Sequence, residues 1–194
     1  MTVESSRRHV LTGLGAMAAL GAVGCAESPP PRMFTLASRP ATASGDAAMR
    51  ILVKPVEVAK YLDRTQIVRY SDPYELKIAD LERWGEGMRD MTTRILVENL
   101  SMRLPKCQIV SSSSPLSLRA DATLEIDVSR LDADASGEIV LDARWAVQRD
   151  GRPLAVKLER IRVRPASASI TDLVAAMSDA FGQLSDQIAL GVVA

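Results

Sequence analysis

The chain is 194 residues long, with 24 Lys+Arg, 24 Asp+Glu and one His, so its formal net charge is zero. The length fits one domain of ordinary size. The balanced charge argues against a nucleic-acid-binding protein, which carries a basic excess. The sole histidine, His9, falls in a segment that reads as a removable leader, so the mature chain is expected to have none. That removes His-based acid–base work, Ser-His and Cys-His nucleophile pairs and the commonest metal ligand. Two cysteines cannot build a disulfide framework or a four-ligand zinc site, and no cofactor motif is found.

Residues 1–24 read as a signal peptide. Ser6-Arg7-Arg8-His9-Val10-Leu11 is a positively charged start, and the run from Val10 to Gly24 has no charge. That run is shorter than the roughly 20 apolar residues a membrane span needs and suits a leader's apolar core. Ala22-Val23-Gly24-Cys25 then brings small residues up to a cysteine. This ending resembles the bacterial lipoprotein box, in which the cysteine thiol takes a diacylglycerol, the leader is cut before it, and the new amine is acylated. Cys25 is therefore the expected lipidation site, and two or more acyl chains give stable membrane attachment. Ala26, where an Asp would favour retention at the inner membrane, points to the outer membrane, facing the periplasm. The paired arginines leave export open between the twin-arginine and the general secretory route.

Residues 25–31 form the expected lipidated tether. Ser28-Pro29-Pro30-Pro31 favours extended geometry. At no more than about 3.6 Å per residue the tether reaches at most about 25 Å. The folded domain is expected over 32–194. Arg32 to Leu36 suggests a short first strand and Ser38 to Ala48 a loop. Residues 50–58, RILVKPVEV, read as a strand with Pro55 near its end. Gln66 to Tyr70 is a second strand, and Tyr74 to Ile78 is placed to pair with it. Leu81, Trp84, Met88, Met91 and Ile95, followed by Leu96, Leu100 and Leu104, mark one helical stripe, so a helix is expected over 80–103, stopped by Pro105. Gly85 and Gly87 weaken its first turns.

Cys107 to Val110 reads as a short strand, with the Cys107 thiol buried. Thr123 to Ser129 alternates strictly between apolar and polar residues, as do Ile139, Leu141, Ala143, Trp145 and Val147, each row burying one face. Asp150-Gly151 is a hairpin signal. On the return strand Val156 and Leu158, then Ile161 and Val163, are expected inside, with a bulge near Glu159-Arg160 to absorb the phase slip. These three strands form an expected antiparallel meander. Ile170, Leu173, Val174, Met177, Phe181, Leu184, Ile188 and Val192 mark a last helix, opened by Ser169 and Asp172 as a capping-box variant. The expected fold is a single α/β domain: a mixed, largely antiparallel β-sheet packed by two long helices.

Chemistry-bearing patterns are sparse. Glu125 and Asp127 share a strand face about 7 Å apart, a spacing known from glycosidases; two carboxylates on an exposed face are more often its solvated side. Residues 121–138 hold six acids and one base, whereas residues 143–164 hold seven bases and two acids. Cross-strand pairing on a wet face explains this pattern most simply; the functional alternative is a basic edge for an acidic partner or lipid headgroups.

The most distinctive stretch is Tyr61-Leu62-Asp63-Arg64-Thr65-Gln66-Ile67-Val68-Arg69, behind Pro55-Val56 and ahead of Trp84 and the Ile95–Leu100 run. Together with the box at Cys25, it resembles the PqiC family of ABC-type transport auxiliary lipoproteins. That resemblance implies a three-layer, anticodon-binding-domain-like α/β fold and no catalytic site. It implies partnership with a periplasmic protein carrying mammalian-cell-entry (MCE) domains and with an ABC permease, in lipid transport between inner and outer membranes that maintains envelope integrity. It also admits a homo-oligomer. Asp63 and Arg64 are expected to pin a turn by a salt bridge, with Ile67 and Val68 in the core. Two other function classes remain: a structural lipoprotein for envelope assembly or polysaccharide export, and an envelope hydrolase working through carboxylates alone.

Overall fold

The apolar alternation of the second half of the chain becomes the centre of a mixed, unclosed sheet. The structure, a computed structural model, describes residues 29–41, 45–46, 48–114 and 119–193; the leader, Cys25 and most of the tether lie outside them. In chain order the strands are β1 (Arg32–Phe34), β2 (Arg50–Val53), β3 (Glu57–Val58), β4 (Gln66–Asp72) and β5 (Glu75–Trp84). Helix α1 (Met88–Arg103), β6 (Gln108–Ser111), β7 (Ala122–Ala133), β8 (Ile139–Arg149), β9 (Arg152–Val163) and helix α2 (Ile170–Val193) follow. Residues from Pro31 onward form one compact unit.

β7 is the spine. One edge pairs antiparallel with β8, which pairs antiparallel with β9. Along the other edge β2, β3 and β4 follow one another, all parallel to β7. Pro55 divides the expected 50–58 strand into β2 and β3, because a proline cannot supply a ladder N–H. β6 extends the sheet beyond β2, and β5 with β1 beyond β4. The long pairings are antiparallel and the short ones parallel. The Asp150-Gly151 turn closes the β8–β9 hairpin with both residues at positive φ (50° and 73°), as a two-residue hairpin turn requires.

A bulge at Ser129 in β7 shifts the phase, so that Ala122, Leu124, Ile126 and Val128 share the inner row with Leu131 and Ala133. Across the ladder, β8 contributes Ile139, Leu141, Ala143, Trp145 and Val147. α2 covers this row and packs on α1. A Cβ on Gly191 would lie 2.3 Å from the Trp145 ring, so only a glycine permits this approach of helix to sheet. The stripe expected for α2 is buried from Leu173 to Val192. Ser169 caps it, its Oγ accepting the Asp172 amide at 3.1 Å. On the opposite face Tyr61, from the connection between β3 and β4, reaches Asp132 of β7.

Three expectations are corrected. The first helix starts at Met88, not at residue 80, because residues 80–84 are strand. Gln66 pairs with Arg83, and Trp84 donates its amide to the Thr65 carbonyl at 2.7 Å. Trp84 is buried from a strand, so its spacing from Met88 imitated a helical stripe across the Gly85–Gly87 break. Second, β9 pairs residue by residue with β8 from Ala155 to Val163, without a bulge at Glu159-Arg160. Its inner row is therefore the odd-numbered one, and Val156 and Leu158 face outward into solvent. Third, Cys107 is half-buried rather than buried.

Candidate functional site

The segment Tyr61–Arg69 is built around a buried carboxylate. Asp132, on the outer row of β7, is fully buried. Its Oδ2 accepts from the Tyr61 hydroxyl at 2.5 Å, and its Oδ1 accepts from Arg130 Nε at 3.0 Å. The Arg130 guanidinium lies 4.7 Å above the Tyr70 ring, and Tyr70 meets Tyr61 edge-on at 6.3 Å between centroids. Burial pushes the Asp132 carboxyl above the usual carboxylate range, against the hydrogen bonds of Tyr61 and Arg130. Burial, and then the Asp132 hydrogen bond, push the Tyr61 phenol up as well. The two tyrosines thus close a polar network on an otherwise open sheet face. Asp63 and Arg64 are exposed, and no ion pair joins them; backbone bonds from Leu62 N to Ala59 O (2.9 Å) and from Arg64 N to Leu62 O (2.8 Å) hold the turn instead. Ile67 and Val68 are buried, as expected.

A second charged centre joins the helices. Arg103, 1% exposed, donates from Nε to Asp186 Oδ1 at 2.7 Å. Its remaining donors reach the Asn99, Arg39, Pro40 and Gly182 carbonyls at 3.0–3.3 Å. One guanidinium therefore fixes the end of α1, the middle of α2 and the segment entering the sheet. Arg103 stood in the sequence as one more surface-type arginine at a helix end; its position three residues beyond Leu100, on the buried stripe, was the one available signal.

The outer face of the meander is different. Glu125 and Asp127 do share it, but Glu125 is held by Lys54 at 2.5 Å and by Gln148, while Asp127 stands in solvent opposite Arg144. With Glu57, Arg89 and Val156 they border an open groove of about 530 Å³. Among the described residues the two carboxylates share no hydrogen bond, and each stands against a cation of its own, Lys54 and Arg144. Among the described residues no three His, Cys, Asp or Glu side chains come together as a metal site would require.

Cross-strand pairing accounts for part of the basic block. Arg160 makes a forked bond to Asp142 at 2.7 and 3.1 Å, and Arg162 reaches Glu138 at 2.8 Å and Asp134 at 3.3 Å. Arg50 from β2 takes Asp121, pulling that carboxyl down to about 2 through its hydrogen bonds. Arg144, Arg152 and Arg164 have no carboxylate within ion-pair distance among the described residues, and Lys157 lies over the Trp145 ring at 5.9 Å.

Fold and surface together define a sheet-and-helix platform with a closed interior and one charged, partly apolar outer face. The chain belongs to the family of ABC-type transport auxiliary lipoprotein components, whose family model matches residues 34–189. Among solved structures, an uncharacterized protein is similar with a TM-score of 0.73 at 20% identity, over 84% of this chain and 99% of its own. Protein XCC0632 from Xanthomonas campestris is similar with a TM-score of 0.71 at 19% identity, over 84% of this chain and 94% of its own. At these identities the two structures speak for the fold. Among curated proteins, none matches the sequence. The lipidation expected at Cys25 falls outside the described residues.

Proposed function

We propose that the protein is a non-enzymatic outer-membrane lipoprotein subunit of an ABC/MCE-type intermembrane lipid transport system. The observation that supports this most is the family match over residues 34–189 lying directly behind Ala22-Val23-Gly24-Cys25. On this reading residues 1–24 are removed, Cys25 carries the acyl chains, residues 25–31 are the tether, and 32–194 is the working domain. The tether keeps the domain within about 25 Å of the bilayer. An MCE-domain protein, itself tied to the ABC permease, must therefore come to it across the periplasm.

Work of this kind needs a rigid surface and no reacting group. The closed interior around Arg103–Asp186 supplies the rigidity, and the outer face of the meander supplies exposed contact chemistry. Deleting the gene should make the envelope permeable to lipophilic dyes, and the intact chain should restore the barrier. Cys25→Ser should not restore it and should no longer incorporate labelled fatty acid. Full restoration by a Cys25→Ser chain that is demonstrably unacylated would overturn the reading.

A further inference from the structure

The apolar residues left exposed on β9 stand among arginines. Leu154, Val156 and Leu158 are 44, 61 and 71% exposed. In the ladder Val156 lies opposite Ala146 and Leu158 opposite Arg144, and the same outward row runs on through Arg160 to Arg162. Arg160 and Arg162 are held by Asp142, Asp134 and Glu138. Arg144, Arg152 and Arg164 are exposed and have no carboxylate within ion-pair distance among the described residues. Along the hairpin the remaining acids, Asp150 and Glu159, are matched in number by Arg149 and Lys157. Three uncompensated cations thus accompany three open aliphatic side chains. A second exposed apolar cluster, Tyr74, Leu76, Ile78 and Leu81 with Met33, belongs to the β4–β5 hairpin and β1. There Asp72, Glu75, Asp80 and Glu82 outnumber Arg69, Lys77 and Arg83.

Aliphatic side chains flanked by free cations suit an anionic lipid surface: the apolar tips reach the acyl boundary while the guanidiniums take the phosphates. The tether favours this occupant over a protein. On the transport reading, from which the tether is taken, Cys25 holds the domain within about 25 Å of a bilayer. The strand path from β1, where the tether enters, through β5, β4, β7 and β8 to β9 is five spacings, no more than about 24 Å. β9 is therefore always within reach of headgroups, at a high effective concentration, whereas a protein partner must first arrive. The acidic surplus of the β4–β5 cluster disfavours the same surface. We propose that the outward side of β9, Leu154, Val156 and Leu158 with Arg144, Arg152 and Arg164, docks on anionic phospholipid headgroups and lays the β8–β9 hairpin against the membrane. The contact is a second attachment beside the acyl chains. It fixes which way the domain faces, and so which surface it presents to a partner.

The test uses the full-length acylated chain reconstituted in phosphatidylcholine vesicles with or without phosphatidylglycerol. Cys107→Ser removes the native thiol, and an environment-sensitive NBD dye is attached at Leu158→Cys, Val156→Cys, Tyr74→Cys or Leu190→Cys. With phosphatidylglycerol present, the dye at the two β9 positions should shift to the blue, and its bleaching by aqueous dithionite should slow at least about fivefold relative to phosphatidylcholine alone. At the Tyr74 and Leu190 positions it should stay in water on both lipids. Arg144→Glu with Arg152→Glu should remove the protection, Arg144→Lys with Arg152→Lys should keep most of it, and high salt should weaken it. Flotation of each variant with the vesicles reports the anchor separately. A chain that floats while its Leu158→Cys dye bleaches equally fast on both lipids would overturn the docking and leave the anchor in place. So would a dye protected only once envelope proteins are added. A chain that does not float at all would remove both readings.

Discussion

The two rows of β8 make the comparison on which this protein turns. Ile139, Leu141, Ala143, Trp145 and Val147 face the helices and are all buried, whereas Asp142, Arg144, Ala146 and Gln148 alternate with them and remain in part or fully open. Each face also carries an arginine–aspartate pair. Arg103–Asp186 is dry, with the other guanidinium donors taken by carbonyls; Arg160–Asp142 is forked, but Arg160 stands in solvent. The same pairing fixes architecture in one place and leaves a surface available in the other. Desolvation decides which: a lost partner leaves an uncompensated buried charge inside, and water replaces it outside.

The largest expected effect comes from breaking the inner pair. Arg103→Met should destabilise the protein by about 3–5 kcal/mol, measured by urea unfolding, because Asp186 then stays buried without its cation. Adding Asp186→Leu to that variant should recover only part of the loss, since the buried carboxylate is gone but the Asn99, Arg39, Pro40 and Gly182 carbonyls still lack the guanidinium. Next, Leu141→Ala should cost about 2–5 kcal/mol, while Leu158→Ala on the neighbouring strand should stay within about 0.5 kcal/mol. Equal costs at the two leucines would mean that β9 is covered on its outer face.

Tyr61→Phe should cost about 1–3 kcal/mol by leaving one oxygen of a buried carboxylate unpaired. The Asp132 group also has a pH signature. Its folded-state value is raised by burial, so the folded protein holds that proton more tightly than the unfolded chain. The associated stability is present at acid pH and is lost as pH rises through the raised value. Asp132→Asn should therefore gain on the native protein as pH climbs above about 4. A constant difference across that range would contradict the burial effect. Smallest of all, Arg160→Ala should barely move the urea midpoint, and less still at high salt, because water and ions replace an exposed pair.

Much of the fold was legible because the meander and α2 bury one face each. Strict alternation at Thr123–Ser129 and Ile139–Val147, and the stripe from Leu173 to Val192, leave little choice of side. Legibility failed where burial and polarity part company. On β9 the apolar residues Val156 and Leu158 lie outside because the strand is an edge, and an edge position is a property of topology that no local pattern reveals. At Trp84 a strand residue fell by chance at helical spacing. The Tyr61–Asp132 bond joins residues 71 apart, and the Arg103–Asp186 bond joins residues 83 apart. Neither has a local signature, so the segment Tyr61–Arg69 could be recognised without its physical role being readable.

An acylated platform that binds a transport partner through its surface should come out of the membrane with that partner attached. Affinity recovery of the tagged full-length chain from detergent-solubilised membranes tests it most directly, with mass spectrometry of what co-elutes. An MCE-domain protein accompanied by its ABC permease should co-elute, in a complex that survives washing. Reproducible recovery of an export or envelope-assembly component, with no MCE-domain protein present, would contradict it.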